Sequence, residues 1–519
     1  MTFRLNAFAN VGLDESLLRL VLDEHAASAL PRLEKLWMYY RNPLKAIGTG
    51  PLPWLGNADS SSRGWYRQAQ EIGLPARIVG RAGLAMDDRA QARREVVIEN
   101  DIAWRVQAMV DFMFGKPVTL LSTAHDENLR RTIEKILDTV WERSGGIGLL
   151  QDMALLGHVY GHVDLLLRID PAIAADSLSI TSPDTRTTTL DDAIARAAEA
   201  FTIEVIEPTR GVPIADPADY RRLVAYILRF DRQQNSVDLA RETVSSTLWR
   251  RAFTTARSSQ GSRQRTSVTE IFSGSHHQLY HDENLIEQSV NTLTAGQLPI
   301  VHIQNVSQPF RYEGQGEVEP LIPLQDELNT RLSDRASRVT MQSFKMYLTK
   351  GIEGADKMSV GPGVIWTADN VDASVQEFGG DGHSPSEESH IQEIREALDK
   401  VSSVPPLAGG VVRAKIGNLS SANALKITLM GILSKTARKR VTYGRGMAQI
   451  SRLILTALDA AGVLKTSELD RGIRLEWPDP LPSDTREQVV AAEAKARLGV
   501  PHERVLAELG YSPNDPGVQ

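Results

Sequence analysis

Leu419–Asp459, LSSANALKITLMGILSKTARKRVTYGRGMAQISRLILTALD, is the stretch on which the architecture turns. It has no proline, and Leu425, Leu429, Ile432, Val441, Met447, Ile454 and Leu458 recur at spacings near three and four, as one helix face requires. Ser420 or Ser421 suits an N-cap and Gly462 a stop. At 1.5 Å per residue the helix would be roughly 60 Å long, more than the width of one small domain. The pair Gly444 and Gly446 near its middle predicts a weak point or bend. Its charges are one-sided: Lys426, Lys435, Arg438, Lys439, Arg440, Arg445 and Arg452 face only Asp459.

Working outward, residues 404–418 (VPPLAGGVVRAKIGN) are a glycine-rich loop and residues 389–402 a helix. Before these lies Gly351–His390, with eight acids against Lys357 alone, which accounts for the whole net charge of −7. Such separation points to distinct surfaces with distinct partners. Residues 318–342 form a second strong helix, with Leu324, Leu328, Leu332 and Val339 as its buried stripe. An acidic segment with short strands therefore sits between two helices that lead to the long one.

Upstream, helices are expected over 13–41 (with Pro31 starting a second helix after a break), 95–114, 127–143 and from 147, and strands over 163–167, 220–231, 266–272 and 297–305. Trp37, Tyr39 and Tyr40 read as an aromatic packing cluster. Downstream come a strand at 473–477 and a helix at 484–498. The 519 residues suffice for about two to four domains. No cysteine is present, so disulfides, thiolate metal sites and a cysteine nucleophile are excluded, and a reducing cytosol is consistent. The N-terminus carries acids within its apolar pattern, unlike a signal peptide. The most apolar run, Met153–Leu167, is too short and too polar to cross a bilayer.

Signals for catalysis are weak. There is no GxxxxGK[ST] phosphate loop and no GxSxG elbow. His158 and His162 have the spacing of two ligands on a helix, but Val159 stands where the HExxH motif needs glutamate. His276, His277 and His281 cluster near an expected turn. The basic, Ser- and Thr-rich stretch Arg241–Arg265 lacks the regular basic and aromatic spacing of a nucleic-acid surface, so a solvated loop is favoured. No cofactor is expected, and no enzyme activity. A sequence-independent nucleic-acid-binding protein using 241–265, or a metal-dependent hydrolase using these histidines, are the alternatives.

The order of segments resembles the portal proteins of tailed bacteriophages, of the siphophage type. Four local patterns carry the resemblance, over about residues 95–480. Phe114-Gly115-Lys116-Pro117-Val118 is similar to an FGKP turn after a helix, and Gly296–Val301 followed by Asn305 to a strand entering the stalk. Asp326-Glu327-Leu328-Asn329 with Ser333-Asp334 resembles the D-x-x-N-x-x-x-S-D of a first stem helix. Ser421–Lys426 resembles the S-G-x-A-L-K that opens a tunnel helix, with Ala422 where the family has glycine.

The resemblance implies an α+β, mainly helical portal fold. Residues 1–317 would be most of the wing, 318–345 and 389–403 the stem helices, 346–388 the clip, 404–418 the tunnel loop, 419–483 the tunnel helix and wing return, and 484–519 the crown. It implies a homo-oligomeric ring, a dodecamer in the virion, at one capsid vertex and assembled in the host cytoplasm, with no membrane involved. Double-stranded DNA would pass through it during packaging and ejection. Partners would be the terminase large subunit, head-tail connector (adaptor) proteins and the major capsid or scaffold protein. Val411, Val412, Arg413 and Lys415 would face DNA from the tunnel loop. The acids Asp356, Asp369, Asp372, Glu377 and Asp381 would meet the motor and adaptor, and Gly444 and Gly446 would be a hinge.

Overall fold

The computed structural model describes residues 3–47, 65–79, 95–170, 173, 190–233, 265–343, 346–350, 372, 374–378, 384–409, 422–481, 485–499 and 505. Its helices are α1 (Glu15–Glu24), α2 (Leu30–Arg41), α3 (Ala76–Val79), α4 (Asp101–Phe114), α5 (Glu127–Arg143), α6 (Gly146–Tyr160), α7 (Leu190–Glu199), α8 (Ile322–Ser343), α9 (Pro385–Ser402), α10 (Ala422–Thr428), α11 (Met430–Ala460) and α12 (Thr485–Arg497). The strands are β1 (Leu44–Ile47), β2 (Trp65–Gln68), β3 (Thr119–Ser122), β4 (His162–Ile169), β5 (Phe201–Ile206), β6 (Gly211–Asp216), β7 (Asp219–Gln233), β8 (Arg265–Ser273), β9 (His276–His281), β10 (Asn284–Val290), β11 (Ile300–Gln304), β12 (Met346–Lys350), β13 (Ser374–Phe378) and β14 (Ile473–Glu476). The chain is α+β and mainly helical, with small sheets.

It divides into two compact units: Met1–Glu34, Val106–Glu317 and Val404–Gln519 form the first, and Lys35–Arg105 with Val318–Ser403 the second. In the first unit, β6 to β10 make a five-stranded antiparallel sheet in the order β10-β9-β8-β7-β6. Phe3, Phe8, Leu18 and Leu22 pack with Val212, Ile227, Ile271 and Tyr280 of that sheet in one buried cluster. The side chain of Asp14 caps α1, accepting from the Leu17 amide at 2.8 Å. Pro31 falls in the first turn of a second helix, as expected, but in place of a break a π-helical turn, His25–Ala29, joins α1 to α2.

The larger core of this unit gathers α5, α6, α7, the sheet β11-β4-β5 and the pair β14–β3 around α11. Tyr443, Met447, Ile450, Ile454 and Leu458 are all buried there, each contributing roughly 1.5–3 kcal/mol relative to exposure. Val441 departs from the expected stripe: it is 60% exposed. It follows Arg440 and Lys439 in sequence, and the 3.6-residue turn carries it off the face that Tyr443 and Met447 bury. Beyond the helix Gly462 has φ +74°, and the Val463 amide returns to Leu458 O, so the stop is where the glycine places it.

The second unit is built on α8 and α9, the pairs β12–β13 and β1–β2, and an unusually polar interior. Gln70, Gln325, Asn329, Ser333 and Arg105 have no exposed surface. Residues 95–100 are not helical, against expectation, and α4 starts only at Asp101. Their backbone is satisfied sideways by a row at i, i+4, i+8 on α8. Asn329 Oδ1 accepts the Glu99 amide at 2.9 Å, Ser333 Oγ the Val97 amide at 2.9 Å, and Gln325 Nε2 donates to Glu99 O at 2.5 Å. Asn329 Nδ2 also donates to Gln70 Oε1 at 3.1 Å. Of the aromatic trio, Trp37 and Tyr40 rings lie 5.4 Å apart, while the Tyr39 hydroxyl donates to Asp326 at 2.8 Å.

Candidate channel and docking segments

The long helical stretch is interrupted, but not at its glycines. Helix α11 is continuous through Gly444 and Gly446, and the break falls at Leu429 (φ −92°, ψ 5°), between α10 and α11. The two glycines have different jobs. A Cβ on Gly446 would lie 2.4 Å from Ile303 of β11, so the strand approaches the helix backbone as closely as a glycine allows. A Cβ on Gly444 would meet only Trp477, at 3.6 Å, an ordinary contact. Gly157 of α6 makes the same kind of space for the Tyr443 hydroxyl, which donates to Asn305 Oδ1 at 3.1 Å.

Beneath α11 lies a buried charge cluster that the sequence did not announce. Lys435 Nζ is 2.5 Å and Lys439 Nζ 2.7 Å from the two carboxylate oxygens of Glu317. Lys439 is 1% and Glu317 3% exposed. Burial pushes the Glu317 carboxyl up, but Lys439 and Lys435 outweigh it and hold the group at about 2. Burial lowers Lys439 to about 8 despite the opposing carboxylate. His158, fully buried beside them, is lowered to about 3 by burial and by Lys439. Its Nδ1 lies 2.5 Å from Ala154 O, and its backbone oxygen accepts the Glu317 amide at 2.7 Å. The i, i+4 lysine spacing was legible; their carboxylate, more than a hundred residues away in sequence, was not.

A second buried anion is Asp164 of β4. Tyr226 and Tyr312 hydroxyls donate to it at 2.8 Å each, and His302 Nδ1 lies 2.7 Å away. His302 stacks on Tyr312 at 3.8 Å between centroids, and its Nε2 is 2.8 Å from Tyr312 O. This ties the loop after β11 to the sheet.

The histidines of the metal reading are accounted for separately. His158 lies in the last turn of α6 and His162 begins β4, with Gly161 at φ +96° between them, so they do not share a helix face. His276, His277 and His281 lie along β9; His277 stacks on Phe272 and faces Glu270 at 3.4 Å. Among the described residues no group of three or more possible ligands is found. Nor is any described helix long and apolar enough to cross a membrane.

In the second unit, α8 and α9 bracket β12 and β13, which pair antiparallel from Met346↔Phe378 to Lys350↔Ser374. Glu377 lies in β13, opposite Tyr347, and Asp372 just before it is exposed. Asp356, Asp369 and Asp381 of the acidic segment lie outside the described residues, as do Val411, Val412, Arg413 and Lys415 of the glycine-rich loop and most of the basic stretch 241–265.

One surface was only partly legible in the charges of the long helix. Arg438, Arg445 and Arg452 are exposed and spaced seven apart on α11, which puts them on one side at ~10.5 Å intervals. None has an ion pair to a described residue, and the exposed Val441 (60%) and Met430 (59%) share their side. The heptad was present in the sequence; only burial of the other faces shows that this one is left over.

A family profile described as "Phage portal protein, SPP1 Gp6-like" matches residues 21–510. No curated protein matches the sequence. Similar solved structures include a chain of the "Virion of native gene transfer agent (GTA) particle", at 12% identity and TM-score 0.40, covering 80% of this chain and 90% of that one. A chain of the "Neck of empty GTA particle computed with C6 symmetry" is similar at 12% identity and TM-score 0.41, with the same coverage. At these scores the likeness is too loose to carry an argument about this chain.

Proposed function

The chain belongs to the phage portal protein family of the SPP1 Gp6-like type, and from that membership we propose that it forms the ring through which double-stranded DNA enters and leaves a capsid. The observation that carries this reading is a family match running from residue 21 to 510, through both units and all the segments above. The work of such a protein is passage and attachment, with no bond made or broken.

In this reading the tunnel loop 404–418 presents Val411, Val412, Arg413 and Lys415 to DNA, and α10 and α11 form the tunnel helix. The α8–β12–β13–α9 segment is stem and clip, and its acids, Asp369, Asp372 and Glu377 among them, meet a basic face of the terminase motor and later the adaptor. The charge balance supports it. A conduit must release its cargo, and each phosphate held by Lys or Arg adds affinity; here the excess charge is negative and sits in the clip.

Electron microscopy of the purified full chain tests the reading, with rings pierced by a central hole as the expected result. Particles that stay monomeric at every concentration and salt would overturn it. For the clip, charge reversal at Asp369, Asp372 and Glu377 is expected to weaken motor binding at least tenfold; unchanged binding removes that assignment.

A further inference from the structure

The exposed side of α11 carries Arg438, Arg445 and Arg452 without carboxylate partners among the described residues, with exposed Val441 between the first two and exposed Met430 at the start of the helix. The opposite side of the same helix is committed to α5: Ser451 Oγ lies 3.5 Å from Trp141 Nε1, and Met447 and Trp141 line one cavity of about 490 Å³. At 100° per residue the arginines lie roughly 100–180° around the axis from Met447 and Ser451. That cavity has an apolar floor of Val118, Leu120 and Trp141 and an acidic wall. The wall is Glu134, Asp138 and Glu142, spaced four apart on α5.

The other charges on this face of α5 are already neutralised. Arg131 pairs with Glu127 at 2.6 Å and Lys135 with Asp191 at 2.6 Å. Glu134 accepts the Ser122 amide at 2.9 Å. Asp138 and Glu142 have no ion pair to a described residue. The acidic row spans ~12 Å, against ~10.5 Å between successive arginines and ~21 Å for all three, so the wall is long enough for two of them at a time.

We propose that the arginine row of α11 docks against the acidic α5 wall of a second copy of this chain, with Val441 packed over the apolar floor beside it. An arginine row on the exposed side of α11 and a complementary acidic wall on α5, which packs on the other side of α11, make a head-to-tail contact, which closes into a ring when the rotation permits. The contact rests on the ring reading above and adds the residues that join the copies. Duplex DNA is a poorer occupant of the row. Arginine and methionine are both enriched in protein interfaces, and a phosphate-tracking stripe would grip the cargo of a conduit.

The test uses two full-length variants, Arg438→Glu/Arg445→Glu/Arg452→Glu and Asp138→Lys/Glu142→Lys, followed by native mass spectrometry and negative-stain microscopy. Each alone is expected to lower the ring fraction about tenfold or more at fixed concentration, with an unchanged far-UV circular dichroism spectrum. Mixed in equal amounts they are expected to assemble again, as alternating copies, because every contact then joins opposite charges. A misfolded variant would not be rescued by mixing. Normal rings from the arginine variant, or a mixture that stays dispersed, overturn the contact and leave the ring reading standing. Normal rings with weakened binding of duplex DNA also overturn it and assign the row to the channel wall. A wild-type chain that never forms rings removes both readings.

Discussion

Glu317 holds two lysines under the long helix, and its stability effect has a defined pH window. Its folded value of about 2 lies below the reference of 4.5. Its stabilisation is therefore complete above about 4.5 and lost as the pH falls toward 2. His158, lowered from 6.5 to about 3, acts in the same direction: it is buried neutral, and acidification from 6.5 to about 3 favours the unfolded chain. Lys439, lowered from 10.5 to about 8, makes stability rise as the pH climbs from 8 to 10.5. Glu317→Gln is expected to cost about 3–5 kcal/mol at neutral pH, because it strands a buried ammonium. It should also flatten the loss of stability between pH 4.5 and 2, measured by thermal melting. Glu317→Leu combined with Lys439→Met is expected to cost less than the sum of the single changes; simple additivity would show that the pair is not coupled.

Helix α11 tests whether its two central glycines are alike. Gly446→Ala pushes a methyl into Ile303 and is expected to destabilise by about 1–3 kcal/mol, overpacking outweighing the gain in helix propensity. Gly444→Ala meets only Trp477 at van der Waals distance and is expected to stabilise by about 0.5–1 kcal/mol. Equal melting shifts of the two variants would refute the assignment of close packing to Gly446 alone. On α8, Asn329→Ala leaves the Glu99 amide and Gln70 Oε1 without partners, at about 1–3 kcal/mol for each. Hydrogen exchange at residues 97–99 should then speed up; unchanged protection would mean that other partners suffice. This is the physical content of the D-x-x-N-x-x-x-S-D pattern: Asn329 and Ser333 hold a non-helical segment, and Asp326 accepts from Tyr39.

For the whole molecule, a conduit predicts weak DNA binding by assembled rings, with a shallow salt dependence. Tight binding with a slope of many phosphates would favour the nucleic-acid-binding alternative. Periodicity was sufficient to place most helices and strands, the acidic segment between two helices, and the stop at Gly462, because each is a local property of backbone geometry and side-chain spacing; it did not show the non-helical residues 95–100 or the break at Leu429. The motif residues were enough to name the family, which the match over 21–510 bears out. What the chain alone could not decide was which face each side chain meets. Glu317 reaching Lys435 and Lys439, Asn329 reaching Glu99, and the close approach of Ile303 to Gly446 all join residues far apart in sequence. Val441 looked like core and is exposed, while Lys439 looked like surface and is buried. A repeat of three and four defines a stripe, but the stripe's edges are drawn by what packs against it, and only the tertiary structure supplies that.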